Sequence, residues 1–275
     1  MNKNIFVAIL AISVMACSKD NNTATDNNAK GVLSVEFDNI VGNKTLQLNT
    51  GDYINALGQS FKITRLQYYI SNIKVTNEAG VEYVVPQDSS YFLILGDDRS
   101  SRFAKVNVPE GDYKKLSFIV GVDSLRSTMP VENRTGVLDP TGDHAGAGMY
   151  WTWNSGYVFF KMEGTSDAVP GAAHKFYYHI GLYGGSDPAS PTINNIKEIS
   201  LDLTQGGISQ VRSGFRSNVH LLVDVLKALN GQTNVSFAEK PTVMVDEYSR
   251  NIASNYVHMF AHDHTENGVK DESEL

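Results

Sequence analysis

The sequence predicts an all-β fold: a β-sandwich-like domain with a long functional loop and one or two short helices. Short segments alternate apolar and polar residues with the two-residue period of a half-buried strand, as residues 32–37 do. Turn sequences separate these segments, as residues 77–80 do, which is typical of hairpins. Short strands joined by regular turns indicate a sandwich or a barrel.

Each further strand is predicted from the same pattern. The segments lie at residues 32–37, 61–70, 73–76, 81–85, 91–95, 106–108, 113–122, 157–162, 176–180, 196–203 and 219–225. Residues 91–95 are apolar on both faces, which predicts a central strand. A helix is predicted at residues 246–260 and a short helical turn at 226–229. The apolar residues on one face of the helix are Ile252, Ala253, Tyr256, Met259 and Phe260.

The N-terminus predicts export and a lipid anchor. Lys3 precedes an apolar run at residues 5–16, and the segment that ends at Cys17 resembles the cleavage site of a lipoprotein signal peptide. Cys17 is the only cysteine, which excludes an intramolecular disulfide. The alternative is an ordinary signal peptide with an incidental cysteine. Ser18 after the cysteine favours an outer-membrane lipoprotein that faces the periplasm or the cell surface.

Four segments are expected along the chain. Residues 1–16 form the signal peptide, and residues 17–30 a lipidated flexible tether that is polar and has no aromatic residue. Residues 31–265 form one β domain, and residues 266–275 a flexible tail. The chain carries 23 basic and 30 acidic residues, and this negative balance argues against nucleic acid as a partner.

Residues 123–154 form the longest irregular segment. They are rich in Gly, Pro and Asp and end in both tryptophans, Trp151 and Trp153. A loop of this length in a compact domain is uncommon unless it is functional or disordered, and its aromatic end favours function.

Several phrases resemble the MbnP-like copper-binding protein family of exported proteins, in its lipoprotein branch. They run in order along the chain, at residues 68–72, 109–113, 118–123, 136–140, 148–157, 179–181 and 255–260. The phrase at 148–157, Gly-Met-Tyr-Trp-Thr-Trp-Asn-Ser-Gly-Tyr, is the most specific.

The resemblance implies a copper-binding protein outside the cytoplasm. It also implies a partner of the di-haem cytochrome c peroxidase kind, which oxidises a tryptophan to kynurenine, a group that can join histidines at copper. Such relatives carry a histidine two residues after the modified tryptophan. In this chain the residue two positions after Trp151 is Trp153, and the residue two positions after Trp153 is Ser155. Trp151 and Trp153 are therefore either oxidised tryptophans or core aromatics.

Imidazole and thioether groups are the candidate copper ligands. The candidates are His179, His144, Met149, His174 and His258. His179 leads because it lies near a strand end before Gly181, where a turn would expose it at a rim; His258 is expected on the last helix. Each histidine has an alternative as a buried, hydrogen-bonded group or a solvated surface group.

Three other groups are weaker metal candidates. His262, Asp263 and His264 near the C-terminus are metal-binding residue types at short spacing that can bind metal adventitiously, and His220 is expected to be structural. Calcium could use oxygens from the long loop, although the spacing is not that of an EF-hand and such residues commonly form turns. The loop carboxylates are Asp123, Asp139 and Asp143.

These observations predict an exported lipoprotein that binds a metal ion, copper by preference, in copper handling alongside a di-haem peroxidase or an outer-membrane transporter. The alternatives are a non-metal accessory lipoprotein and a calcium-stabilised structural domain. The sequence contains no nucleophile elbow, no zinc-protease motif, no phosphate loop and no haem-attachment motif, so it is not predicted to be an enzyme.

Overall fold

Two β-sheets face each other across a shared core, which confirms the all-β prediction. The structure is a computed structural model that describes residues 29–144, 147–153, 156–187 and 189–270. The predicted signal peptide at 1–16, the lipidation site Cys17 and all but the last two residues of the predicted tether at 17–30 lie outside the described residues.

Strands make up most of the regular structure. In chain order they are β1 (Lys30–Val41), β2 (Lys44–Thr45), β3 (Tyr53–Ile54), β4 (Ser60–Asn77), β5 (Glu82–Val84), β6 (Tyr91–Leu95), β7 (Phe103–Pro109), β8 (Gly111–Val120), β9 (Tyr150–Trp151), β10 (Gly156–Thr165), β11 (Lys175–Gly181), β12 (Lys197–Asp202), β13 (Ser209–Val211), β14 (Phe215–Asp224), β15 (Thr242–Val243) and β16 (Phe260–Lys270). The α-helices are α1 (Ser124–Thr128) and α2 (Ser249–Tyr256). Short 3-10 turns lie at Gln87–Ser89, Ser100–Arg102, Val131–Asn133, Gly136–Leu138 and Val225–Ala228.

The smaller sheet joins distant parts of the chain. Its order is β16-β14-β1-β2, and β7 also pairs with β1. Strands β1 and β14 run parallel, with Val32 opposite Arg216 and Ile40 opposite Asp224. The larger sheet has the order β12-β8-β4-β10-β11-β15, with the shorter strands paired to β4, β8 and β10.

Alternate residues of the small sheet fill the main core. Leu33, Val35 and Phe37 of β1 are fully buried against the larger sheet. The Phe37 ring meets the Phe118 ring of β8 edge-on, with centroids 5.6 Å apart. Such pairs add about 0.5–1.5 kcal/mol beyond the area they bury. The two sheets therefore form the predicted sandwich.

A second, smaller core lies under the long loop. Its buried members are Tyr69, Leu93, Val122, Leu138, Met149, Trp151, Tyr157, Val158 and Phe159. It explains why β6 is apolar on both faces: Leu93 packs into this second core, whereas Ile94 packs into the main core. The prediction of a central strand at 91–95 is wrong, because β6 pairs with β4 alone among the described strands.

The C-terminal region differs from its prediction. The helix predicted at residues 246–260 is shorter, since α2 covers Ser249–Tyr256 and Phe260 already begins β16. The predicted apolar face is nevertheless buried. Residues 266–270 of the predicted tail belong to β16, which pairs with β14, while residues 271–275 lie outside the described part. No helix in the described ranges has the length and apolar character needed to cross a membrane.

Candidate metal-binding site

The long loop is folded back on the larger sheet. Asp123 caps α1, where its side chain accepts a hydrogen bond from the Arg126 backbone N–H at 3.1 Å. Further along, the buried guanidinium of Arg134 donates to the carbonyls of Ser127 and Met129 at 3.0 and 2.8 Å. The same guanidinium lies over the rings of Tyr150 and Tyr157, 5.3 Å from each centroid, a favourable cation–π arrangement. These contacts fix the loop.

A cavity of about 120 Å³ lies beneath this loop. Its lining includes His144 and Met149, so the structure brings together two of the predicted ligands. Met149 is almost fully buried, and His144 is half-buried. The cavity is also lined by Asp139, and by Tyr157, whose hydroxyl donates to the Leu138 carbonyl at 2.6 Å. An imidazole and a thioether that face one cavity are a ligand pair suited to Cu(I).

His179 lies apart from this cavity. It is in β11, two residues before Gly181, and its side chain is 15% exposed. Its Nε2 donates to Glu163 Oε1 at 2.7 Å, and Arg65 Nε lies 3.8 Å from the other oxygen of Glu163. Burial lowers the pKa of His179, since desolvation outweighs the hydrogen bond to Glu163. A neutral imidazole held by a carboxylate is oriented for ligation through its other nitrogen.

The other two histidine candidates lie on the surface. His174 is exposed in the turn before β11, with a φ of 48°, and its Nδ1 donates to the Val169 carbonyl at 2.9 Å. His258 is exposed in the turn after α2, so its predicted place on the last helix is wrong. Neither residue lines the loop cavity.

The tryptophans have different environments. Trp151 is 6% exposed in the second core, and Trp153 is 64% exposed. Their ring centroids are 5.6 Å apart at an angle of 43°. Gly181 of β11 makes room for the buried ring, since a Cβ there would lie 2.7 Å from Trp151 and 2.3 Å from the Tyr157 carbonyl oxygen. Trp151 is thus a core aromatic, as one of the two alternatives predicts, whereas Trp153 lies at the surface.

Two of the three candidate calcium ligands already accept hydrogen bonds from neighbouring protein groups. Asp123 caps α1 and accepts a hydrogen bond from the Tyr91 hydroxyl. Asp139 accepts from the backbone N–H and the hydroxyl of Thr141, both at 2.8 Å. Within the described ranges, Asp123, Asp139 and Asp143 do not form a group of three convergent ligands.

A different set of potential ligands converges on the small sheet. His220 of β14 lies beside Asp263 and His264 of β16, with the ligand atoms within 4.8 Å of one another. The sequence predicts only adventitious metal binding at 262–264 and a structural role for His220, whereas the structure brings His220, Asp263 and His264 together. The signal that could have found them is the pairing of β16 with β14, which a single sequence does not display.

The fold and the loop define an all-β, two-sheet protein with an imidazole-thioether cavity under one long loop. The chain belongs to the MbnP family, whose profile matches residues 30–245, and the resemblance seen in the sequence is thereby confirmed. Among solved structures, MbnP from Methylosinus trichosporium is similar at 16% identity, covering 75% of this chain and 80% of that one, with a TM-score of 0.49. No curated protein matches the chain.

Proposed function

We propose that this protein is an exported lipoprotein that binds copper in the cavity beneath its long loop. The observation that carries the proposal is the convergence of His144 and Met149 on that cavity. Membership of the MbnP family supports copper as the metal. The ligand pair favours Cu(I), because a thioether is a soft ligand and an imidazole binds copper in either oxidation state.

The tryptophan pair supports a redox partner in the same process. Trp153 is exposed to a protein that docks on the loop, and its ring lies next to that of Trp151, which belongs to the same second core as the cavity residue Met149. An electron could leave Trp151 through Trp153 without a substrate entering the core. In this proposal the partner is a di-haem peroxidase-like protein, and an outer-membrane transporter is the alternative.

A Cu(I) competition titration against a coloured chelator tests the proposal. His144→Ala and Met149→Leu should each weaken Cu(I) affinity by about tenfold or more, since each removes one ligand of a small set. Met149→Leu conserves volume, so the second core should remain packed. His258→Ala is the matched control, because that histidine is exposed and remote in sequence from the loop.

Substitution is preferable to truncation here, because residues 262–270 form most of β16 and belong to the sheet. Every variant should also carry His264→Ala, so that the histidines on β14 and β16 do not contribute to the titration. Equal Cu(I) affinity with and without His144 and Met149 would contradict the loop cavity as the copper site.

A further inference from the structure

A β-bulge shapes the outer face of the small sheet. His220 is paired with His264 and Leu221 with His262, so Asp263 is one extra residue on β16. In a regular strand, neighbouring residues such as 263 and 264 point to opposite faces. A bulge redirects the side chain of the extra residue. Here it allows Asp263 and His264 to meet His220 on one face.

The distances show that three ligand atoms already converge. Asp263 Oδ2 accepts from Nδ1 of His264 at 2.8 Å and from Nδ1 of His220 at 3.2 Å. The two imidazole rings lie 4.8 Å apart at an angle of 32°. Ligand atoms that bind one ion at about 2.0–2.2 Å lie about 3.0–3.5 Å from each other. The two contacts of Asp263 are close to this spacing, and the three ligand atoms, all within 4.8 Å of one another, would have to draw together around an ion.

The surroundings favour a cation. Glu266 Oε1 lies 3.8 Å from His264 Nε2, and Glu36 of β1 is the register partner of His220. The site is also accessible, since the His264 side chain is 48% exposed and that of Asp263 is 45% exposed, whereas His220 is mostly buried. Protein groups would fill three positions and leave the rest to water or to a ligand from another molecule.

The geometry points to a second metal site, formed by His220, Asp263 and His264, that takes a divalent transition ion such as Zn²⁺ or Cu²⁺. Two imidazoles and a carboxylate are the ligands these ions prefer, and the absence of sulfur in the set separates it from the Cu(I) cavity. Asp263 and His264 follow the last residue matched by the family profile, residue 245. The site is thus a feature of this chain beyond its proposed copper function.

Titration of the full-length protein with Zn²⁺ alone, followed by calorimetry, tests the site. The unchanged protein should bind one equivalent, and both His264→Ala and Asp263→Asn should weaken that binding about tenfold or more. Both side chains are exposed on an edge strand, so these variants should fold, and Asp263→Asn is nearly isosteric. His174→Ala, which removes another exposed histidine, should leave the affinity unchanged.

Cu²⁺ provides an independent readout by electron paramagnetic resonance. Two imidazole nitrogens should couple to Cu²⁺ in the unchanged protein and one in His264→Ala. Saturable Zn²⁺ binding that is equal in the unchanged protein, His264→Ala and Asp263→Asn would overturn the site, as would no saturable binding at all. Loss of Cu(I) binding in the His144 and Met149 variants would leave this Zn²⁺ titration unaffected, so the two proposals fail separately.

Discussion

At the scale of single residues, Lys161 is unusual among the described charged groups because its ammonium lies in the interior. It lies in β10 and is almost fully buried, and its ammonium donates to the loop carbonyls of Ala147, at 3.2 Å, and of Gly148. Burial lowers the pKa of Lys161 to about 8. The Lys161 ammonium thus connects the loop to the larger sheet by hydrogen bonds, and the loss of its hydration opposes this stabilisation.

The lowered pKa predicts a pH dependence with a definite sign. Well below pH 8 the Lys161 amine is charged in both the folded and the unfolded state, and burial of the charge lowers the free energy of unfolding by its full amount. Between about pH 8 and 10 the unfolded chain holds more protons on this lysine than the folded one, so its contribution to the free energy of unfolding rises with pH. Relative to Lys161→Met, the unchanged protein should gain about 2 kcal/mol between pH 7.5 and 9.5.

Urea denaturation at several pH values measures this difference. Lys227→Met is the control, because Lys227 is exposed and its variant should follow the pH profile of the unchanged protein. A constant difference between the unchanged protein and Lys161→Met across this range would show that Lys161 keeps an ordinary proton affinity in the fold.

At the scale of elements, the packing of the Trp151 ring against Gly181 of β11 holds the end of the loop on the larger sheet. Gly181→Ala should destabilise the fold by about 1–3 kcal/mol, the usual range for overpacking, because both the Tyr157 carbonyl and the Trp151 ring would have to move. Tryptophan fluorescence should shift to longer wavelength as the Trp151 ring becomes more exposed to water.

Gly111→Ala is the matched control for this prediction. Gly111 begins β8, and a Cβ there would meet its nearest neighbour at 3.4 Å, an ordinary contact. Chemical denaturation followed by circular dichroism compares the two variants. Equal stability of Gly181→Ala and Gly111→Ala would mean that Trp151 does not depend on close approach to β11.

The elements also show which structural features the sequence could predict. Because a half-buried strand shows its period locally, the predicted strands correspond to strands of the structure, except that the segments 61–70 and 73–76 form one continuous strand, β4. The sequence pattern does not predict strand β16, because this strand lies at the sheet edge and most of its residues are exposed, which leaves no apolar alternation. Its bulge, and therefore the meeting of Asp263 with His220, depends on a partner more than 40 residues away.

The candidate site was predictable in part for the same reason. His144 and Met149 lie five residues apart in one loop, so their convergence on a cavity needs little long-range information. The nearness of His179 to Gly181 predicts a place at a rim, but the environment of His179 is set by Glu163 on the neighbouring strand. That contact depends on the register between β10 and β11, which spacing alone does not specify.

At the scale of the whole molecule, a lipid anchor at Cys17, as proposed, would hold the protein at a membrane. Cys17→Ala should release the protein from the membrane fraction or leave the precursor uncut, because the lipid and the cleavage both depend on the thiol. Ser18→Ala is the control and should remain membrane-bound. Fractionation with intact-mass measurement tests this, and an unchanged mass together with unchanged fractionation would contradict the anchor.

The parallel pairing of β1 with β14 has a consequence for how the molecule is made. The central strand of the small sheet comes early in the chain, and one of its two long neighbours ends only at Asp224. Until β14 and β16 have been synthesised, Leu33, Val35 and Phe37 of β1 lack part of the sheet to which they belong in the fold. Long-range pairing of this kind is slow to form. The small sheet can therefore be completed only after synthesis has passed β14 and β16, so folding of this half of the molecule is expected to follow translation of the whole domain.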